Sequence, residues 1–144
     1  MLVSLLLGAA FVVLTFFVHA IGLALLALPL SEKEDKSEGW RSYVRQVVAM
    51  LALVLGLFLL IMLEIAGWAA AFVMLEFFPD FETALYFSTS TFATVGFSDL
   101  APEHDWRLLA AIEGIAGFLI IGWSGAFLVS VAVRVGPFRK GLHF

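Results

Sequence analysis

The sequence predicts an all-α membrane protein in which three transmembrane helices are joined by connections, one of them carrying a short re-entrant helix. Three observations carry this. The 144-residue chain is 62% hydrophobic and only 14% charged, with a mean hydropathy of +1.05, which excludes an ordinary soluble domain. Three apolar stretches are each long enough to cross a hydrocarbon core of about 30 Å. Between the last two lies the run from Asp80 to Asp99, too short to cross and too rich in hydroxyls to face lipid.

Residues 1–30 are almost wholly apolar up to Pro29 and form the first span. They lack the basic start and shorter apolar core of a cleaved signal peptide. His19 is the only ionisable side chain in the span. A histidine at membrane depth is a functional candidate, and a neutral imidazole bonded to a neighbouring helix is the other reading. Residues 31–46 hold four basic and four acidic side chains and form a solvated loop, with Trp40 and Tyr43 suited to the headgroup layer.

Residues 47–75 form the second span, about 43 Å long if fully helical, so tilt or projection is expected. Glu64 interrupts it. Exposure of a carboxyl to lipid costs a few kcal/mol, so Glu64 is expected to face protein, with Ser88, Thr89 and Ser90 as its expected partners. Pro79 and Asp80 then start a helix over residues 81–92, with Asp80 as N-cap and Glu82 in the first turn. At about 18 Å it covers half a membrane.

After this helix, Thr94-Val95-Gly96-Phe97-Ser98-Asp99 breaks the helical pattern and leaves carbonyls without intrahelical partners. Such backbone is tolerated at membrane depth only where protein buries it or where it lines a water-filled path, and the simplest such path is a pore.

Residues 107–133 form the third span, followed by a basic tail over residues 134–144. Gly114, Gly117, Gly122 and Gly125 permit close helix packing. Gly117 or Gly122 would also permit bending, and Ser124, on one face with residues 117, 121 and 128, is the expected cavity-lining hydroxyl. Glu113 is expected to brace the short helix.

Basic residues set the orientation. The 31–46 loop has four and the tail three, against Arg107 alone between the second and third spans. Loop and tail are therefore expected in the cytoplasm and the N-terminus outside, in a plasma membrane. On the outer side, Glu76, Asp80, Glu82, Asp99, Glu103 and Asp105 form an acidic rim that concentrates cations. His19 is placed by this count in the inner half of the membrane, with Glu64 and Glu113 in the outer half.

Several function classes have no support. There is no cysteine, the three histidines are scattered, and neither a nucleotide-binding glycine loop nor a nucleophile elbow is present. No enzyme activity, cofactor or nucleic-acid partner is expected.

The run Thr91-Phe-Ala-Thr-Val-Gly-Phe-Ser-Asp99, after a short helix and before a glycine-bearing span, resembles the pore module of tetrameric potassium channels. The likeness covers residues 47–133 and is nearest to small prokaryotic members with one additional N-terminal span. Trp106-Arg-Leu-Leu109 and Gly122-Trp-Ser124 are further familiar elements. By resemblance, Thr94, Val95, Gly96 and Phe97 provide successive potassium-binding rings, Ser98 takes the fifth position of the filter, and Asp99 stands at the outer mouth. Phe97 would pack against Tyr86 and Phe87. Ser98 stands where the family usually has glycine, and Ser90 where some members carry a glutamate that braces the aspartate.

The resemblance implies a homotetramer in a lipid bilayer, with K+ as permeant ion. No arginine-rich voltage sensor is encoded, and a tail of about eleven residues is too short for a sensing domain. A separate gating subunit is left open. The alternatives are a weakly selective Na+/K+ channel, a proton-coupled transporter using His19, Glu64 and Glu113, and a non-conducting membrane subunit.

Overall fold

A computed structural model describes residues 2–31, 40–96 and 106–135. Among them the chain is all-helical: α1 (Leu2–Ser31), α2 (Trp40–Met74), α3 (Phe81–Phe92) and α4 (Arg107–Val135). α1, α2 and α4 are each long and apolar enough to cross a membrane, so the protein is a multi-pass membrane protein. Their broad outer surfaces carry exposed Leu, Val, Ile and Phe side chains, including Leu6, Val13, Phe58, Leu59 and Phe118. Hydrocarbon is the natural solvent for such surfaces.

The pairs in contact fix the helix directions. His19 meets Glu64, Thr15 meets Trp68, and Gly22 and Gly56 pack on Leu60 and Leu26. One index rises as the other falls, so α1 and α2 are antiparallel. Gly8 packs on Ile112, Phe16 on Trp123 and His19 on Ser124. Both indices rise together, so α1 and α4 are parallel. The same reasoning, from Ser88 with Glu113 and Phe92 with Gly117, makes α3 parallel to α4.

α2 begins at Trp40, seven residues before the boundary expected from hydropathy. Arg41, Ser42, Tyr43 and Arg45 are helix-compatible but not apolar, so the hydrogen-bonded helix outlasts its apolar part. At 35 residues it is about 52 Å long and must tilt in the bilayer or project beyond it.

α2 ends in a Schellman turn. Phe77 N donates to Phe72 O at 2.9 Å and Glu76 N to Val73 O at 3.0 Å, with Glu76 at the left-handed position (φ 60°). The ring contact that usually accompanies this turn is Phe72 with Phe77, centroids 5.4 Å apart. The chain thereby reverses into α3. Phe87 of α3 is held edge-on by Phe72 at 5.5 Å and meets Phe78 at 5.0 Å.

The main core lies where α2, α3 and α4 meet, around Trp68, Phe72, Ala84, Phe92, Leu109 and Ile120. Phe11 and Phe16 of α1 pack against it. A second cluster of Leu23, Leu53, Leu57 and Val131 ties α1, α2 and α4 at the other end.

Candidate functional site

The site is built from the re-entrant helix. Asp80, in extended conformation (φ −146°, ψ 159°), caps α3. Its Oδ1 accepts from Thr83 N at 2.8 Å, and its Oδ2 accepts from the Thr83 hydroxyl at 2.8 Å. These two bonds hold the Asp80 carboxyl below its ordinary range, the backbone amide being the larger cause.

α3 ends in a second Schellman turn. Thr94 N donates to Thr91 O at 3.0 Å and Val95 N to Ser90 O at 2.9 Å, with Thr94 at φ 57°. Gly96 N reaches the same Ser90 carbonyl at 3.2 Å. This convergence orients the peptides of residues 94–96. A trans peptide points its carbonyl opposite to its N–H, and no described peptide bond is cis. The carbonyls of Thr94 and Val95, whose peptides present the bonded N–H groups of Val95 and Gly96, are therefore turned away from α3. Residues 93–96 are exposed.

Two residues here hold left-handed backbone, Thr94 and Gly96 (φ 70°). Gly96 adopts it freely. For the β-branched Thr94 it costs on the order of 1–2 kcal/mol, and such strain is kept where the surroundings dictate it. The three amide bonds onto Ser90 and Thr91 are those surroundings.

α3 is fastened to α4 at two points. The buried Ser88 hydroxyl donates to Oε1 of Glu113, which is fully buried. One turn further along α4, a Cβ on Gly117 would lie 2.8 Å from both the carbonyl carbon and Cα of Phe92. No side chain fits there, so only glycine lets α4 pass the end of α3. Gly117 is thus one of the glycines expected to permit close packing, seated against the end of α3. Gly122 has open space around it, with nothing within 4 Å of a built Cβ.

Other expected placements differ. The Ser88 and Thr89 hydroxyls, two of the expected partners of Glu64, are bonded elsewhere. Glu64 Oε1 lies 2.9 Å from His19 Nδ1, while Ser88 is taken by Glu113 and the Thr89 hydroxyl donates to Leu85 O at 2.7 Å. His19 and Glu64 therefore share one depth, contrary to the opposite halves expected from counting. α1 and α2 are both longer than the hydrocarbon core, so the distance of a residue from a helix end does not give its depth. Ser124 does not line an open face either: it is buried against His19 Nε2 at 3.3 Å. Tyr86 is half exposed and Phe87 is buried. Phe97, Ser98 and Asp99 lie outside the described residues.

Thr15 escaped notice in the sequence. Its hydroxyl accepts from Trp68 Nε1 at 3.1 Å and donates to Phe11 O at 2.8 Å. The signal was spacing: Ser4, Thr15 and His19 are separated by eleven and four residues, which puts them on one helix face, and all three are buried.

No curated protein and no solved structure matches the chain. A short half-membrane helix, a turn at its end whose carbonyls face away from it, and two spanning helices that hold it in place are what an ion path needs, and the ion channel family matches residues 58–134, more than half of the sequence. The chain belongs to the ion channel family.

Proposed function

We propose that four copies of the chain close around Thr94-Val95-Gly96-Phe97-Ser98 and conduct potassium passively across the plasma membrane. The observation that supports this reading is the shared Ser90 carbonyl. By taking the amides of both Val95 and Gly96, it frees the Thr94 and Val95 carbonyls to face an ion, and such oxygens replace the hydration shell of K+. The C-terminal end of α3 adds a partial negative charge at the same place. One chain supplies one such run of carbonyls, so a ring of ligands calls for cyclic symmetry, here a homotetramer.

On this reading Thr94, Val95, Gly96 and Phe97 hold the ions, Ser98 takes the fifth position of the filter, and Asp99 stands at the outer mouth. Ser88 with Glu113, and Gly117 with Phe92, keep the helix behind them in place. The basic loop and tail put the C-terminus in the cytoplasm and the N-terminus outside.

Flux from liposomes holding the purified protein tests this. Potassium efflux far above sodium efflux, abolished in Gly96→Ala, is expected. Equal fluxes of the two ions, also abolished in the variant, would assign a weakly selective cation pore in which Ser98 has loosened the filter. Flux unaffected by Gly96→Ala would place the path elsewhere.

A further inference from the structure

α1 lies wholly outside the matched residues 58–134, yet it supplies the centre of a second buried polar cluster. His19 is fully buried. Its Nδ1 lies 2.9 Å from Glu64 Oε1 on α2, its Nε2 lies 3.3 Å from Ser124 Oγ on α4, and its ring touches that of Trp123, centroids 5.2 Å apart. One imidazole thus joins three membrane-crossing helices.

The titratable groups around it are few. α2 presents Glu64, α4 presents only Ser124 and Trp123, and α1 contains no other ionisable side chain within Leu2–Ser31. The one carboxyl of α4, Glu113, is engaged with Ser88, eleven residues or about 16 Å along the helix from Ser124.

We propose that His19 and Glu64 form a proton-operated latch through which α1 sets the shape of α4. The geometry gives the latch two settings. With Glu64 ionised and His19 neutral, Nδ1 must carry the imidazole hydrogen to meet the carboxylate, so Nε2 is bare and the Ser124 hydroxyl donates to it. A proton taken from solvent has two places to go. On Glu64 Oε2 it would find no acceptor among the described residues, whereas on His19 Nε2 it faces Ser124 Oγ. Placed there, it reverses the bond: His19 donates and Ser124 accepts.

The Ser124 hydroxyl hydrogen is then released. Its nearest alternative by helix geometry is the carbonyl four residues back, that of Ile120, and serine back-bonding of this kind bends helices. The bend would fall in the turn containing Gly122, which has open space around it. One proton on a helix outside the pore module therefore alters the curvature of the helix that carries the pore helix.

The inference rests on the ion-conduction reading, and two readouts keep the two separate. Open fraction is recorded in planar bilayers between pH about 5 and about 8. Tryptophan emission is followed over the same range, the Trp123 contribution being the difference from Trp123→Phe, since a protonated imidazole lowers the emission of an indole it touches.

The wild type is expected to change open fraction by about tenfold, a typical coupling between linked sites. His19→Gln, Glu64→Gln and Ser124→Ala flatten this response, and His19→Gln also removes the pH dependence of Trp123 emission. Trp123 emission that ignores pH would overturn the latch. Emission that follows pH while open fraction is unaffected, or stays equally pH-dependent in His19→Gln and Ser124→Ala, would overturn its coupling to the pore. Absence of any current at every pH, with pH-dependent emission retained, would overturn the conduction reading and with it the coupling, leaving only a protonatable contact.

Discussion

Gly117 of α4 and Phe92 at the end of α3 are in backbone contact, and a Cβ at residue 117 would stand 2.8 Å from both the carbonyl carbon and Cα of Phe92. Backbone atoms at a helix end cannot move aside as a flexible side chain can. The contact fixes how deep α3 sits, and α3 in turn positions Thr94 to Gly96 through the amide bonds onto Ser90 and Thr91.

Gly117→Ala is therefore expected to push the end of α3 away from α4. Overpacking of this kind costs about 1–3 kcal/mol, and on the tetramer reading it recurs in every subunit. Lower thermal stability and loss of ion flux together are the expected result. Gly122→Ala is the contrast: with nothing within 4 Å and a helix propensity about 1 kcal/mol better than glycine, it should leave the fold of the chain intact. Circular-dichroism melts of the two variants in the same detergent separate them.

Ser88 and Glu113 are both buried, and the Ser88 hydroxyl donates to Glu113 Oε1, while Glu113 Oε2 has no hydrogen-bond partner among the described residues. Ser88→Ala or Glu113→Leu alone leaves a buried polar group without its partner, at about 1–3 kcal/mol. The double variant removes both, so its cost should fall below the sum of the two. A double-mutant cycle on thermal stability is expected to give a coupling of about 0.5–3 kcal/mol. A coupling of zero would mean that the two side chains do not meet.

Asp80 adds a pH dependence at the start of α3. Its carboxyl is held below the ordinary value of 3.8 by the Thr83 amide and then the Thr83 hydroxyl. Because the folded pKa is lower than the unfolded one, the stabilisation is complete above that ordinary value and is lost as pH falls through the lowered one. Asp80→Ala should remove this acid-sensitive part of the stability, while Thr83→Val, which keeps the amide but not the hydroxyl, should remove only part of it. Thermal melts across the acid range read the difference.

The four helices were legible in the sequence for simple reasons. Length and apolarity mark the spans, and a Pro-Asp start followed by Glu82 marks α3. The beginning of α2 was not legible from hydropathy, because Trp40 to Gln46 form helix without being apolar. Nor was the partner of Glu64. Which residues meet across two apolar helices depends on how far one slides past the other, and nothing in the periodicity of α1 or α2 records that offset. The Gly117 contact was hidden for a related reason: in a helix with many glycines and alanines, sequence does not say which one lies under another backbone. The polar face of α1, by contrast, was available in the spacing of Ser4, Thr15 and His19.

The most direct test of potassium selectivity is the reversal potential in a planar bilayer with potassium on one side and sodium on the other. A filter built on the Thr94 and Val95 carbonyls should give a potential close to that of the potassium gradient, with current abolished by Gly96→Ala, since left-handed backbone at residue 96 costs a non-glycine residue about 1–2 kcal/mol in each subunit. A reversal potential near zero, with sodium carrying as much current as potassium, would contradict it.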